Sequence, residues 1–394
     1  MDELQGVGER IAYYRRRRGM TQKTLAGFVG RSKSWLAKIE QGDRTVEAIK
    51  DLLTLARVLK IEPGDLLGGI ELPPNGGGPL DPPRGIIAVR RSLFAVSDSD
   101  EPLDMGGLRA EVVRANEITG KGQLQAAVMV APRLITLARA AVARELPGAW
   151  WSVTVAYHVA AHLARDLSER DLGLLAADRA VAAAERSGDE VLLAVARRDL
   201  AFALLGAGLV DEAGAVCSDG ADELDPTDST SLPAWSLWGS LRLTEAIAAS
   251  RVDHPGGARR SLGDARSAAD RVGPERNDYW ENFGPANVSA HEIAVELEFG
   301  DPVEALRLAD RLVVDELPYA GRRARVLIDV AHAHFLREDD AAALAVLLEA
   351  RRHAAERVRF SVLAHEIVRA LLRRERKARM IGLRELAEWM GVKE

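Results

Sequence analysis

The stretch Thr21-Gln22-Lys23-Thr24-Leu25-Ala26-Gly27-Phe28-Val29-Gly30-Arg31-Ser32-Lys33-Ser34-Trp35-Leu36-Ala37-Lys38-Ile39-Glu40-Gln41-Gly42 decides the fold of the N-terminal region. Thr21 and Ser32 each stand where a helix N-cap belongs, since a short side-chain oxygen takes an N–H that the first turn leaves without a partner. Gly30 supplies the turn between two short helices and Gly42 stops the second. In the first helix Leu25, Ala26, Phe28 and Val29 are expected to face inward. Leu36 and Ile39 share a face of the second and are placed to lock against Leu25 and Ala26. Lys33, Ser34, Ala37 and Lys38 are left on the opposite face, where they can enter a major groove.

Working outward, Ile11, Tyr14 and Arg15 to Arg18 describe a preceding helix closed by Gly19. A fourth amphipathic helix is expected from about Thr45 (Ile49, Leu52, Leu53, Leu55, Ala56, Leu59), and Pro63 begins a short fifth containing Leu66 and Leu67. Charge supports a polyanion partner for this region alone. Residues 1 to 70 carry 13 Lys or Arg against 9 acids, whereas the remainder holds 40 against 50, for a chain total of -6. Arginine is common throughout, 45 against 8 lysines, so its presence elsewhere says little about phosphate binding.

Arg15, Gly19-Met20-Thr21-Gln22, Leu25-Ala26, Gly30-Arg31-Ser32 and Ile39-Glu40-Gln41-Gly42 together resemble the Xre, or Cro/C1-like, helix-turn-helix domains of phage and bacterial repressors, over about Gly8 to Gly68. The resemblance implies that Lys33 to Gln41 is the recognition helix, that Gln22 meets a phosphate, and that Arg15 and Glu40 form an internal ion pair. The candidate DNA contacts are then Gln22, Arg31, Ser32, Lys33, Ser34, Trp35, Ala37, Lys38 and Arg44. Trp35 lies either against the sugar-phosphate backbone or on the neighbouring helix, and Arg44 suits a phosphate. Phosphate contacts set register while side chains at base edges specify sequence. One such domain reads few base pairs, so a homodimer on an inverted-repeat operator of double-stranded DNA is expected.

At 394 residues the chain is long enough for two or more domains. The expected division is a helix-turn-helix domain at 1–68, a linker at 69–106 rich in Pro and Gly with a short helix near Ile86 to Phe94, and a helical repeat domain at 107–394. The last reads as an all-α array. Helix pairs are placed at Ala149 to Arg165 with Leu172 to Arg186, Glu190 to Leu205 with Asp211 to Leu224, Leu232 to Ser250 with Gly256 to Val272, Pro285 to Phe299 with Pro302 to Val313, and Tyr319 to Arg337 with Asp340 to Arg357. Joints such as Gly208-Leu209-Val210-Asp211-Glu212-Ala213, Gly300-Asp301-Pro302-Val303-Glu304-Ala305 and Glu338-Asp339-Asp340-Ala341-Ala342-Ala343 put an acidic turn before a small residue. They resemble tetratricopeptide repeats, which implies an α-solenoid with a concave binding surface.

The joint from Gly273 to Pro285 interrupts the repeat. Trp280, Phe283, Asn287 and His291 are candidates to line a pocket for a small-molecule or peptide effector; the competing reading has Trp280 and Phe283 plugging the core and Asn287 satisfying backbone groups. The segment Phe283-Gly284-Pro285-Ala286-Asn287-Val288 with His291 looks like one found in actinobacterial regulators that join an Xre domain to tetratricopeptide-like repeats. Peptide-responsive receptors of Gram-positive bacteria join the same two domain types.

No metal-ligand spacing, phosphate-cradling loop or nucleophile motif is present, so no catalysis, cofactor or metal is expected. His158-Val159-Ala160-Ala161-His162 lacks the glutamate of a zinc protease and reads as helix-face residues. The single cysteine, Cys217, reads as a buried small hydrophobe. No run of about 18 apolar residues and no basic-then-apolar N-terminus is seen, which points to a cytoplasmic protein without membrane contact. The alternative function is an interaction scaffold whose repeats bind another protein.

Overall fold

Both expected N-caps form in the computed structural model, which describes residues 7–17, 20–44, 46, 49–59, 61, 66, 85–95, 103–227, 229–375 and 380–392. The Thr21 hydroxyl accepts from Thr24 N–H and the Ser32 hydroxyl from Trp35 N–H, each at 3.1 Å. They open α2 (Gln22–Phe28) and α3 (Lys33–Glu40), flanked by α1 (Val7–Arg17) and α4 (Ile49–Leu59). Gly30 turns at φ 69° between α2 and α3, a conformation that costs a residue with a Cβ. Leu36 and Ile39 join Leu25 and Ala26 in one core with Ile11, Leu55 and Leu59. A Cβ on Gly8 of α1 would lie 1.9 Å from the Ile39 carbonyl oxygen, so the close approach of α1 to α3 needs glycine there.

Phe28 departs from expectation: it is 62% exposed. With about 100° per residue, the arc centred between Leu25 and Ala26 leaves Phe28 roughly 110° away, at the edge of the buried stripe. The fourth helix is described from Ile49, with Val46 non-helical, and the expected start near Thr45 lies outside the described residues. Gly19 and the expected fifth helix lie outside the described residues, apart from Leu66, which is helical and buried.

The chain divides into two compact units, Met1–Leu80 and Asp81–Val392. Among the described residues there are twenty α-helices, no strand, and one isolated antiparallel bridge, Arg276 to Phe283. In the second unit α5 (Ile86–Phe94), assigned from sequence to the linker, packs against α7. Six helix pairs follow: α6 (Met105–Gly120) with α7 (Leu124–Ala143), α8 (Ala149–Asp166) with α9 (Arg170–Ser187), α10 (Glu190–Ala207) with α11 (Val210–Leu224), α12 (Leu232–Arg251) with α13 (Pro255–Val272), α14 (Pro285–Phe299) with α15 (Pro302–Ala309), and α16 (Ala320–Leu336) with α17 (Asp340–His353). Each even-numbered helix packs on the next even-numbered one, and each odd-numbered helix bridges its two neighbours in sequence. The even helices therefore make an inner layer and the odd ones an outer layer, as an α-solenoid requires.

Two of the three acidic joints work as caps. Asp301 accepts from Val303 and Glu304 N–H, and Asp339 from Ala342 N–H. Ala213, Ala305 and Ala343 beyond three such joints have no exposed surface, which lets paired helices approach closely. Cys217 is buried in the core of the middle pairs, and burial pushes its thiol up.

The inner layer closes on itself. α6 contacts α16, and a Cβ on Gly321 would lie 2.6 Å from the Gly120 carbonyl oxygen. Across the same seam Gln125 N–H donates to Glu356 at 2.8 Å. α18 (Ala355–Phe360), α19 (Val362–Arg374) and α20 (Leu383–Met390) cover the last pair with a shared core around Leu347, Ile367 and Leu386. Among the described residues one helix, α7, is long and apolar enough to cross a membrane by length and composition. Here it packs between α5, α6 and α8.

Candidate nucleic-acid interface and interior pocket

On α3, Lys33, Ser34 and Lys38 are exposed, as are Ser32 and Arg44 beside the helix, while Ala37 is half-buried. Ser32 is occupied as the cap, with Ser34 Oγ 3.0 Å from its hydroxyl. Arg31 pairs with Asp51 at 2.9 Å and lies over the Trp35 ring at 5.6 Å. Trp35 is half-buried on the domain core, so it packs on its neighbours. Arg15 and Glu40 form the expected pair through two hydrogen bonds, 2.6 and 2.8 Å. The Arg15 hydrogen bond to Glu40 raises its pKa. Burial alone pushes Glu40 up, but Arg15 and Gln22 overcome it and hold the carboxyl below the usual range. Gln22 donates one N–H of its side-chain amide to Glu40 at 2.9 Å.

The other concentration of polar groups lies inside the second unit, around a small cavity of about 50 Å³ partly open to solvent. Its wall includes Arg165 of α8, Arg198 of α10, Trp280 and Glu281 of the joint before α14, Arg322 of α16 and Arg357 of α18. These positions are far apart in sequence and only the folded second unit brings them together. The joint is held by the Arg276–Phe283 bridge, and the Phe283 ring fills the space over Gly239, where a Cβ would lie 2.1 Å from Cζ. Tyr279, Trp280 and Asn282 all adopt positive φ, 49°, 68° and 47°, a local cost of the kind that recurs at binding sites.

Of the sequence candidates, Phe283 is a core plug with 1% exposure, whereas Trp280 does line the cavity. Asn287 and His291 are buried behind the wall and act on Arg322. Asn287 Oδ1 accepts from Arg322 Nε at 2.9 Å. His291 Nδ1 lies 2.9 Å from the Asn287 carbonyl, and its Nε2 is 3.2 Å from Arg322. An Nδ1–H tautomer satisfies both contacts. Burial, then Arg322 and Arg198, hold that imidazole well below its usual range.

Sequence reading did not single out the arginines. His158 and His162 face the interior, where Asp199 takes His158 Nδ1 at 2.5 Å and sits 3.1 Å from His162 Nε2. Burial raises Asp199 on its own account, but the two imidazoles overcome it and hold the carboxyl low; burial, then His158 and Arg165, hold His162 well below the imidazole range. With Glu281 these side chains bring potential metal-ligating atoms within 4.8 Å of one another. Glu281 is paired to Arg198, however, and Arg165 stands close by, so the local field opposes a cation. That field also acts among the arginines: burial, then neighbouring guanidinium groups, bring Arg198 and Arg322 each to about 9.

The class of protein defined by these features is a helix-turn-helix domain joined to an all-α array of helix pairs. The helix-turn-helix domain family matches residues 7–67. Comparison with curated proteins finds no match. Among solved structures the chain is similar to the crystal structure of Bacillus thuringiensis PlcR in complex with the peptide PapR7 and DNA, at 14% identity, covering 74% of this chain and 99% of that chain, with a TM-score of 0.32.

Proposed function

We propose that the chain is a sequence-specific regulator of transcription, not an enzyme, that acts in the cytoplasm as a homodimer on an inverted-repeat, double-stranded operator. The observation that carries this reading is the exposed Lys33, Ser34 and Lys38 on a capped α3 within the matched domain. Lys33 and Lys38 reach base edges, and Arg44 takes a phosphate. The second unit supplies dimer contacts, for which Ile87, Phe94 and Met129, each more than 60% exposed on α5 and α7, provide apolar surface. It also takes a small-molecule or peptide effector, whose binding shifts the population of arrangements that fit two half-sites.

Genome-wide mapping of bound DNA tests this directly. A shared motif with half-sites about 10 base pairs apart is expected. Lys33→Ala with Lys38→Ala lowers affinity for that motif at least tenfold with helicity unchanged; equal binding by the double variant overturns the recognition-helix assignment.

A further inference from the structure

The wall of the cavity presents four guanidinium groups, those of Arg165, Arg198, Arg322 and Arg357, and one carboxylate, Glu281. Arg198 is paired to Glu281 and Arg357 to Asp166. Arg322 gives its hydrogen bonds to the neutral Asn287 and His291. Arg165 lies over the Phe202 ring at 4.7 Å. Among the described residues neither Arg165 nor Arg322 is in direct ion-pair contact, although the Asp329 carboxylate acts on Arg322 through space, and both line the same cavity. Within the same wall Arg357 Nε is a buried donor with no partner.

Enclosed guanidinium groups without counter-charge are costly, and a ligand that supplies the charge recovers that cost on binding. A guanidinium presents a planar fork that matches carboxylate and phosphate oxygens two at a time. Three further features fit a bound small molecule. Asn287 and His291 hold the Arg322 fork from behind, so its direction is fixed before a ligand arrives. Trp280 and Tyr319 add aromatic surface to the wall. The backbone of the joint is held in the left-handed region to place Trp280 there.

We propose that this cavity is a binding site for a small oxyanion-bearing molecule, a carboxylate or a phosphate, seated on Arg165 and Arg322 beside Trp280 and Tyr319. Its role as the effector site rests on the regulator reading above; the binding itself does not. A divalent metal on His158, His162, Asp199 and Glu281 is the opposing occupant, and it would have to displace Arg198 from Glu281.

The test uses the full chain. Inorganic phosphate, pyrophosphate and citrate are titrated by calorimetry at constant ionic strength set with chloride, and Zn²⁺ is titrated separately. At least one oxyanion binds once per chain, and Arg165→Gln weakens it at least tenfold. Arg311→Gln, exposed and outside the cavity wall, leaves it unchanged. Arg322→Lys, which keeps the charge and loses the fork, gives a smaller loss and serves as a second variant should Arg165→Gln unfold. Binding of citrate alone assigns a carboxylate ligand, and binding of the phosphates alone a phosphate. The proposal is overturned if no oxyanion binds, if Arg165→Gln and Arg311→Gln titrate alike, or if Zn²⁺ binds while the anions do not. Lys33→Ala with Lys38→Ala must leave the anion titration intact. If the unsubstituted chain binds an oxyanion but no DNA motif, the regulator reading alone falls; if it binds its DNA motif but no oxyanion, the cavity assignment alone falls.

Discussion

Arg15 in the first unit and Arg322 in the second are both largely enclosed by protein, and they are held in opposite ways. Arg15 meets the Glu40 carboxylate through two hydrogen bonds and also donates to the Met20 carbonyl at 2.8 Å. Arg322 meets an amide and a neutral imidazole. The first arrangement is complete within the domain and stabilises it. The second leaves charge facing a cavity. The same side chain is thus structural where its partner is an acid and receptive where its partners are neutral.

The contrast can be broken in four ways, each best read by hydrogen exchange resolved along the chain because the two units can open separately. The largest effect is expected in the second unit from Phe283→Ala, which removes a buried ring from over Gly239. It should cost about 3–5 kcal/mol, and protection should fall in α12 and α14 while α1 to α3 keep theirs. Glu40→Ala leaves Arg15 enclosed without its acid and should cost about 3 kcal/mol in the first unit alone; protection in α1 and α3 reports it, and an unchanged value would remove Arg15 from the class of structural arginines.

Acidification should separate the units without any substitution. His162 and His291 stay neutral when folded because their pKa values lie well below the usual range. The unfolded chain protonates them below about pH 6.5, so unfolding takes up protons and stability falls as pH drops through that value. Two such groups give a loss of about 2–3 kcal/mol by pH 5.5. Asp199 and Glu40 have depressed pKa values, so their contributions are present above the ordinary carboxylate range and fade only on going below it, outside this window. All eight histidines follow residue 80, so the first unit should hold steady. The smallest effect is Ser32→Ala, which removes the cap of α3 and should cost about 1 kcal/mol, measurable as fraying of α3 with the array untouched.

Legibility in the sequence follows the distance between partners. The cap residues and the core faces of α2 and α3 rest on local spacing, which exposes them, whereas Arg15 and Glu40 stand 25 residues apart and only the resemblance implies their pair. Helix pairs were readable because Asp301 and Asp339 cap locally and Ala305 and Ala343 mark close approach. The α6–α7 pair was not placed as a repeat, and α7 passes for a spanning helix by composition. The cavity was half legible. Trp280 was found through the interrupted repeat, but Arg165, Arg198, Arg322 and Arg357 look like any others among 45 arginines. Asn287 and His291 were noticed for the right neighbourhood and the wrong reason: they position Arg322 and do not face the space themselves. His158 and His162 stand one turn apart, and their acid, Asp199, lies on another helix with no signal in spacing.

An open stack of helix pairs has two ends, and each can peel away without disturbing the rest. The seam between Gly120 and Gly321 removes that freedom, because α6 and α16 are each other's neighbours. Peeling the first pair then means separating it from the second and from the last at once. The penalty for opening anywhere is shared around the circle, so the stack should melt as one body.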